Sequence, residues 1–189
     1  MITSRVQVIR DVLGSAHIFA SAVNDLMQDR LHAVVGEQLT FAQLKLLKLV
    51  ARKESYHITE VAAFMGVSNA AASKAVDRLV RRGLLSRSEA EEDRRAVVVA
   101  LTQQGRRLLD EYEQITTRTL EDVFGDVPAE GLQQTADLLD ELSLRLVEQD
   151  NRSENMCFRC SIYFREKCLL RSRGPRSCHF YTHKSKKDE

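Results

Sequence analysis

Four cysteines near the end of the chain are the residues whose type and spacing could do chemistry. They follow the pattern Cys157-x2-Cys160-x7-Cys168-x9-Cys178, and no cysteine precedes Cys157. A CxxC pair can place two thiolates on one metal, and two more thiolates complete a tetrahedral site or the ligands of a cubane cluster. The spacing predicts a metal centre with Cys157, Cys160, Cys168 and Cys178 as its ligands.

Three chemistries fit these cysteines: a [4Fe–4S] cluster, a structural Zn²⁺ ion, or thiols and disulfides without metal. Structural zinc sites commonly use two short chelating pairs, and only one such pair is present. The uneven spacing favours the larger iron–sulfur cluster, whose negative charge the flanking basic residues would offset. His179 and His183 lie near Cys178, but lone histidines beside a metal site are more often exposed than ligating, so neither is assigned as a ligand.

The segment 151–189 differs from the rest of the chain in charge. It carries ten basic and four acidic residues, a net charge of +6, whereas residues 1–150 have a net charge of −5. Its few large apolar side chains are too few to build an independent core, so a bound metal would supply much of its folding free energy. Gain or loss of the metal would then order or disorder this tail, and that transition could act as a switch on residues 1–150.

The rest of the chain predicts a mainly helical protein. Apolar residues recur every three or four positions from Arg5 to Val35, which indicates one long helix with a narrow apolar face that packs against another helix, in this chain or a partner chain. Thr40 is placed to cap a helix over Phe41–Val50. Thr59 precedes a short helix over Glu60–Phe64, which stops at Gly66.

A further helix and a hairpin come next. Ser68 is placed to cap a helix that reaches Arg82 and is closed by Gly83, and two short helices joined by a tight turn are a helix-turn-helix. Strands are predicted over Leu84–Ser88 and Ala96–Leu101, with a polar tip between them. A helix-turn-helix followed by a hairpin is a winged helix.

Two long helices close the body of the chain. Thr102 caps the first, which ends near Phe124, and the second carries an apolar side as far as Val147. We expect four regions: an N-terminal dimerisation helix (1–38), a winged helix-turn-helix (39–101), C-terminal dimerisation helices (102–150) and a cysteine-rich metal-binding tail (151–189).

The helix that begins at Ser68 has the surface of a DNA-reading helix. Small polar groups at its start allow close approach to base edges, and long basic side chains further on reach bases or phosphates. Alone, it fits an ordinary amphipathic helix equally well. The hairpin tip favours the DNA-binding interpretation, because its guanidinium groups suit a narrow minor groove. The predicted DNA-binding residues are Ser68, Asn69, Ser73, Lys74 and Arg78 on the helix, and Asp93, Arg94 and Arg95 on the wing.

Several motifs resemble the MarR family of regulators (multiple-antibiotic-resistance repressor type). They are Leu39-Thr40-Phe41-Ala42-Gln43, Ile58-Thr59-Glu60-Val61-Ala62, Val80-Arg81-Arg82-Gly83-Leu84-Leu85, Asp93-Arg94-Arg95 and Leu101-Thr102-Gln103-Gln104-Gly105-Arg106. The resemblance extends over roughly residues 5–148. It implies a homodimer that reads an inverted-repeat site in double-stranded DNA, usually as a repressor, with half-sites about one helical turn apart.

The resemblance also bears on what the protein would sense. Many relatives respond to small aromatic acids bound between the dimerisation helices and the winged helix, or to oxidation of a cysteine near the N-terminus. The second route is closed here, because no cysteine precedes Cys157. The tail lies beyond the family's usual pattern, so we expect sensing of redox, oxygen or iron status through a [4Fe–4S] cluster. The alternative is a small-ligand-responsive repressor with a structural zinc.

Several classes of protein are disfavoured. There is no nucleophile–base pair at recognisable spacing, no phosphate-cradling glycine loop and no HExxH helix, so we expect no enzymatic activity. No apolar run suits a signal peptide or the roughly 20 residues of a membrane span. We therefore expect a cytoplasmic protein without a membrane partner, where clustered cysteines are more often ligands than disulfides.

Overall fold

The computed structural model describes residues 4–36, 39–89 and 97–150, together with Cys160 and Tyr163; side chains of the last helix are described as far as Leu146. Helices dominate these residues, and one small antiparallel sheet lies among them, which confirms the predicted fold class. In chain order the elements are α1 (Arg5–Val35), α2 (Phe41–Val50), β1 (Tyr56–His57), α3 (Ile58–Met65), α4 (Asn69–Val80), β2 (Leu85–Glu89), β3 (Val97–Leu101), α5 (Gln103–Phe124) and α6 (Ala129–Asp150).

Three of the predicted helix caps are confirmed. Thr40 and Gln43 form a reciprocal capping box, in which each side-chain oxygen accepts a hydrogen bond from the other residue's backbone N–H, at 2.9 and 3.3 Å. Ser68 and Thr102 cap α4 and α5 through their side-chain oxygens, which accept from backbone N–H groups three residues ahead at 3.2 and 3.0 Å. These bonds satisfy backbone donors that a helix leaves unpaired at its start.

The predicted start of α3 is wrong. Thr59 was expected to precede the helix, but α3 begins at Ile58 and has Thr59 inside its first turn. The backbone N–H of His57 donates to Glu60 Oε2 at 2.7 Å. The Glu60 carboxylate, rather than a threonine hydroxyl, therefore fixes this end of the helix.

The end of α4 is earlier than predicted. The helix was expected to reach Arg82 but stops at Val80, and the chain then turns through Gly83, whose φ of +69° favours glycine. The N–H groups of Gly83 and Leu84 donate back to the carbonyls of Val80 and Leu79 at 2.9 and 3.0 Å. Gly83 thus closes the helix as predicted and directs the chain straight into β2.

The sheet has the strand order β1-β3-β2, and both pairings are antiparallel. β2 and β3 pair from Leu85 opposite Leu101 to Glu89 opposite Val97, as expected for a hairpin. β2 begins one residue later than predicted, at Leu85 instead of Leu84. β1 was not predicted; its Tyr56 is fully buried and pairs with Val99 in the central strand.

The core lies where α2, α3 and α4 pack against β3, and α1 and α5 close it from the other side. Tyr112 of α5 is buried, and its hydroxyl donates to Met27 Sδ of α1 at 3.6 Å. Only the C-terminal end of α1 is buried in this core. The buried apolar residues include Leu31, Leu44, Leu47, Val50, Val61, Phe64, Val76, Leu79, Leu85, Val99 and Leu109. None of the helices in the described ranges is long and apolar enough to span a membrane.

Gly105 lies at the closest approach between α5 and the base of the hairpin. A Cβ at this position would overlap the carbonyl oxygen of Leu84 and come within 2.8 Å of the Leu101 side chain. That carbonyl is part of the backbone leading into β2, so it cannot move cheaply. We expect Gly105→Ala to lower the free energy of unfolding by roughly 1–3 kcal/mol in urea denaturation, the usual cost of overpacking.

Gly131→Ala in α6 is the matched control. Nothing lies within 4 Å of a Cβ at Gly131. Alanine is favoured over glycine in helices by about 1 kcal/mol, so this variant should be as stable as the parent or more stable. Equal destabilisation by the two substitutions would contradict the close approach at Gly105.

Candidate nucleic-acid interface

α4 presents one polar face to solvent and one apolar face to the core. Ala72, Val76 and Leu79 are buried at helical spacing, which fixes the rotation of the helix. The opposite face carries the five helix residues predicted for DNA contact. Ser68, Asn69, Lys74 and Arg78 are exposed, and Ser73 is half-buried.

α3 supports α4 through a tight turn at Gly66. The φ of Gly66 is +65°, a left-handed conformation that favours glycine, and the N–H of Val67 donates to the Ala62 carbonyl at 3.1 Å. α3 and α4 then pack against one another as a helix-turn-helix. In this arrangement the N-terminal end of α4 and its polar face stand on the outside of the domain.

The hairpin beside α4 is only partly described. β2 and β3 are paired along their full length, but the predicted wing residues Asp93, Arg94 and Arg95 lie outside the described residues. Their role at the wing therefore stays a prediction.

An ion pair that the sequence did not reveal joins α4 to the hairpin. Arg87 Nη1 of β2 donates to Asp77 Oδ1 of α4 at 2.7 Å. Asp77 lies on the half-buried flank of α4, where an unpaired carboxylate would repel phosphate. The pair neutralises it and fixes the hairpin against the helix. The signal in the sequence was an acidic helix residue and a basic strand residue, which become neighbours only once the strand folds back on the helix.

A second ion pair holds the start of α3. Lys53 Nζ lies 2.6 Å from Glu60 Oε1 and 4.2 Å from the centroid of the Tyr56 ring. Burial by itself would raise the pKa of Glu60, but hydrogen bonds from Lys53 and the His57 backbone outweigh it and lower that pKa. Burial, chiefly, raises the pKa of Tyr56 to about 12. Glu60 is therefore charged and Tyr56 neutral near neutral pH, and the base of the helix-turn-helix is firmly held.

Of the four predicted metal ligands, the structure describes only Cys160. It is helical and half-buried, and its carbonyl accepts a hydrogen bond from the N–H of Tyr163 at 2.9 Å. Cys157, Cys168 and Cys178 lie outside the described residues. Within the described part of the chain, no three His, Cys, Asp or Glu side chains converge as a metal site would require. The four-cysteine centre stays a prediction.

An apolar crevice with a volume of about 1120 Å³ opens between α1, α5 and α6. Phe19 of α1 and Phe124 of α5 meet edge to face across it, with ring centroids 6.4 Å apart. Phe41 and Lys45 of α2 also line it, so it borders the winged helix. Its other lining residues include Val12, Val23, Met27, Leu120, Leu138, Leu139, Leu142 and Tyr163.

A helix-turn-helix with a paired hairpin, carried between long helices, defines a winged-helix protein. Residues 39–97, which include the helix-turn-helix and the first strand of the hairpin, match the model of the MarR family, in agreement with the resemblance seen in the sequence. That family consists of DNA-binding transcriptional regulators and not of enzymes, which agrees with the expectation of a protein without catalytic activity.

One curated relative is the uncharacterised HTH-type transcriptional regulator YfiV of Bacillus subtilis. It is 34% identical over 70 residues, which are 37% of this chain and 44% of that protein. The chain thus matches less than half the length of this relative.

Solved structures share the fold over most of the chain. A MarR family protein from Bacillus stearothermophilus is 18% identical, with a TM-score of 0.62 over 77% of this chain and 99% of that one. A cysteine-to-serine mutant of MarR from E. coli, complexed with operator DNA, is 21% identical, with a TM-score of 0.57 over 74% and 99%. CouR from Rhodococcus jostii RHA1, bound to p-coumaroyl-CoA, is 26% identical, with a TM-score of 0.51 over 67% and 90%.

Proposed function

We propose that this protein is a MarR-type transcriptional regulator, acting as a repressor, that binds double-stranded DNA through α4 and the hairpin. The observation that carries the proposal is the outer face of α4. Its start is built of small residues, and Lys74 and Arg78 extend from the exposed face one helical turn apart. An N-terminal end without bulk can approach base edges in a major groove, and the two cations can reach bases or phosphates.

The hairpin would extend this surface along the DNA. Asp77 and Arg87 join β2 to α4, so β2 has a fixed position relative to the helix. Arg94 and Arg95 would then lie beside the neighbouring minor groove, where negative potential attracts guanidinium groups, and Asp93 would orient one of them. A structure of E. coli MarR, which shares the fold, contains operator DNA, and this supports DNA as the partner.

We propose a homodimer held by α1, α5 and α6. The N-terminal half of α1 and part of α6 leave many large apolar side chains exposed in the single chain, more than a monomer usually tolerates. These are Val6, Val8, Ile9, Val12, Leu13, Ile18 and Phe19 on α1, and Leu132, Leu138 and Leu146 on α6. Two-fold symmetry would then place the two copies of α4 on an inverted repeat.

Selection of bound fragments from a random pool of double-stranded DNA tests this function. We expect the recovered fragments to share an inverted repeat with half-sites about one helical turn, roughly 34–36 Å, apart. We also expect affinity to fall steeply as salt concentration rises, because phosphate contacts release counterions. Recovery of unrelated fragments with the same affinity as the input pool would overturn the proposal.

For the signal, we propose that Cys157, Cys160, Cys168 and Cys178 hold a [4Fe–4S] cluster that reports redox, oxygen or iron status. The donor set supports this, since four thiolates with one CxxC pair and basic neighbours suit a cubane cluster. The cluster would contribute its own redox chemistry. The chain would contribute the four thiolates and the attachment to α6, the last dimerisation helix.

A second candidate is a small-ligand-responsive repressor with a structural Zn²⁺ at the same cysteines. The crevice between α1, α5 and α6 favours it, because a largely apolar cavity beside α2 suits an aromatic ligand. CouR, which shares the fold, has p-coumaroyl-CoA bound in its structure. Metal analysis separates the two candidates. Bound zinc without iron or acid-labile sulfide would favour the ligand-responsive repressor with a structural zinc.

A further inference from the structure

Tyr163, one of the two residues described beyond Asp150, lies against the body of the protein. It stands three residues after Cys160, and its side chain lines the crevice together with residues of α1, α5 and α6. Tyr163 is 52% exposed, so about half of the surface of this residue is covered. Burial also raises the pKa of the Tyr163 phenol. We infer that the segment carrying Cys160 and Tyr163 is itself the occupant of the α6 side of this crevice.

The chain is long enough for a tail to occupy the crevice of its own protomer. Leu139, a crevice residue of α6, lies eleven residues before Asp150, which is about 16 Å along a helix. The ten residues from Asp150 to Cys160 can span up to about 33 Å when extended. The chain can therefore turn back along α6 and deliver Tyr163 without help from a partner.

Tyr163 lies close to the residues that hold α1, α2 and α5 together. Burial, chiefly, raises the pKa of Tyr112 to about 12, and the electrostatic influence of the Tyr163 phenol adds to this rise. Tyr112 is the residue that bonds Met27 and anchors α1 to the core. Phe41 and Lys45 bring α2 to the same crevice. Tyr163 thereby lies where α1, α5 and α6 meet the winged helix, and the bearing of this contact on regulation rests on the function proposed above.

A single tryptophan makes the contact measurable. The protein contains no tryptophan, so Tyr163→Trp introduces a unique fluorophore at the contact. We expect blue-shifted emission, and acrylamide quenching at about half the rate of free N-acetyltryptophanamide, because about half of the surface of Tyr163 is covered. Quenching at the rate of the free compound would overturn the inference.

Substitutions in the crevice test where the fluorophore lies. Leu139→Arg places a charge on the crevice wall, and Ala16→Phe fills the crevice from α1 without a charge. Either variant should shift the emission to the red and raise the quenching rate about twofold, to that of an exposed indole. Val123→Arg is the control, because Val123 is exposed on α5 and does not line the crevice. Circular dichroism establishes that each variant is folded. Emission and quenching that stay unchanged in both crevice variants would contradict the inference.

Mixed dimers exclude a second copy as the source of the contact. Chains with Tyr163→Trp and an intact Leu139 are assembled with Tyr163→Phe chains that carry Leu139→Arg. The indole should stay protected, since its own crevice is unchanged. Exposure of the indole would place it in the partner's crevice and overturn the inference. None of these readouts involves DNA, so the inference and the proposed DNA binding can fail separately.

Discussion

Replacing Lys74 or Arg78 with alanine is expected to weaken binding to the selected inverted repeat by about 30-fold or more, since a dimer loses two contacts and each is worth roughly 1–3 kcal/mol. Both side chains extend from the exposed face of α4, and neither contributes to the buried face of Ala72, Val76 and Leu79. Stability should therefore change little. Fluorescence anisotropy with a labelled operator measures the affinity, and urea denaturation measures the stability.

The salt dependence of each variant tells which part of the DNA the side chain contacts. Loss of a phosphate contact weakens all sequences alike and reduces the slope of log K against log salt by about one per contact. Loss of a base contact instead reduces discrimination between the operator and unrelated DNA. We expect Arg78, one turn further from the N-terminus of α4, to behave as the phosphate contact.

Arg118→Ala is the matched control for this test. Arg118 is exposed on α5, outside the winged helix, and its removal changes the net charge by the same amount as loss of Arg78. A general effect of charge would weaken binding equally in both variants. Unchanged affinity after substitution of both Lys74 and Arg78 would remove α4 from the interface.

The local features of this fold follow from the sequence because they depend on neighbours along the chain. Thr40, Ser68 and Thr102 cap helices as predicted, since each hydroxyl bonds a backbone group three residues away. Gly83 closes α4 for a reason that is also local, because its positive φ favours glycine. The exposed face of α4 was equally accessible to prediction, because helical periodicity separates it from the buried face.

The features that the sequence did not reveal depend on distant parts of the chain. β1 is only two residues long, and it is a strand because Tyr56 pairs with Val99 far along the chain. The Asp77–Arg87 pair likewise forms only when β2 returns to α4. No local propensity encodes such pairings. The crevice depends even more on distant parts of the chain, since it forms only when three long helices and Tyr163 are placed together.

Serine substitution at the cysteines is expected to have the second large effect. Protein purified without oxygen should contain about four iron atoms and four acid-labile sulfides per chain and absorb visible light, as a thiolate-bound [4Fe–4S] cluster does. Cys157→Ser or Cys160→Ser should lower the bound iron and remove most of that absorbance, because serine does not replace a thiolate ligand well. Ser161→Ala, next to Cys160 in the sequence, is the control and should keep the full iron content.

The same samples decide whether the metal centre regulates DNA binding or only stabilises the protein. If the cluster acts through α6 and the crevice, operator affinity should change by about 5- to 150-fold when the cluster is removed, the usual range of coupling between two sites. The Tyr163→Trp emission should change together with it, because the segment that carries Cys160 also carries the fluorophore. Equal operator affinities before and after cluster loss would make the metal structural, and a colourless protein with one zinc per chain would replace the iron–sulfur proposal with the zinc alternative.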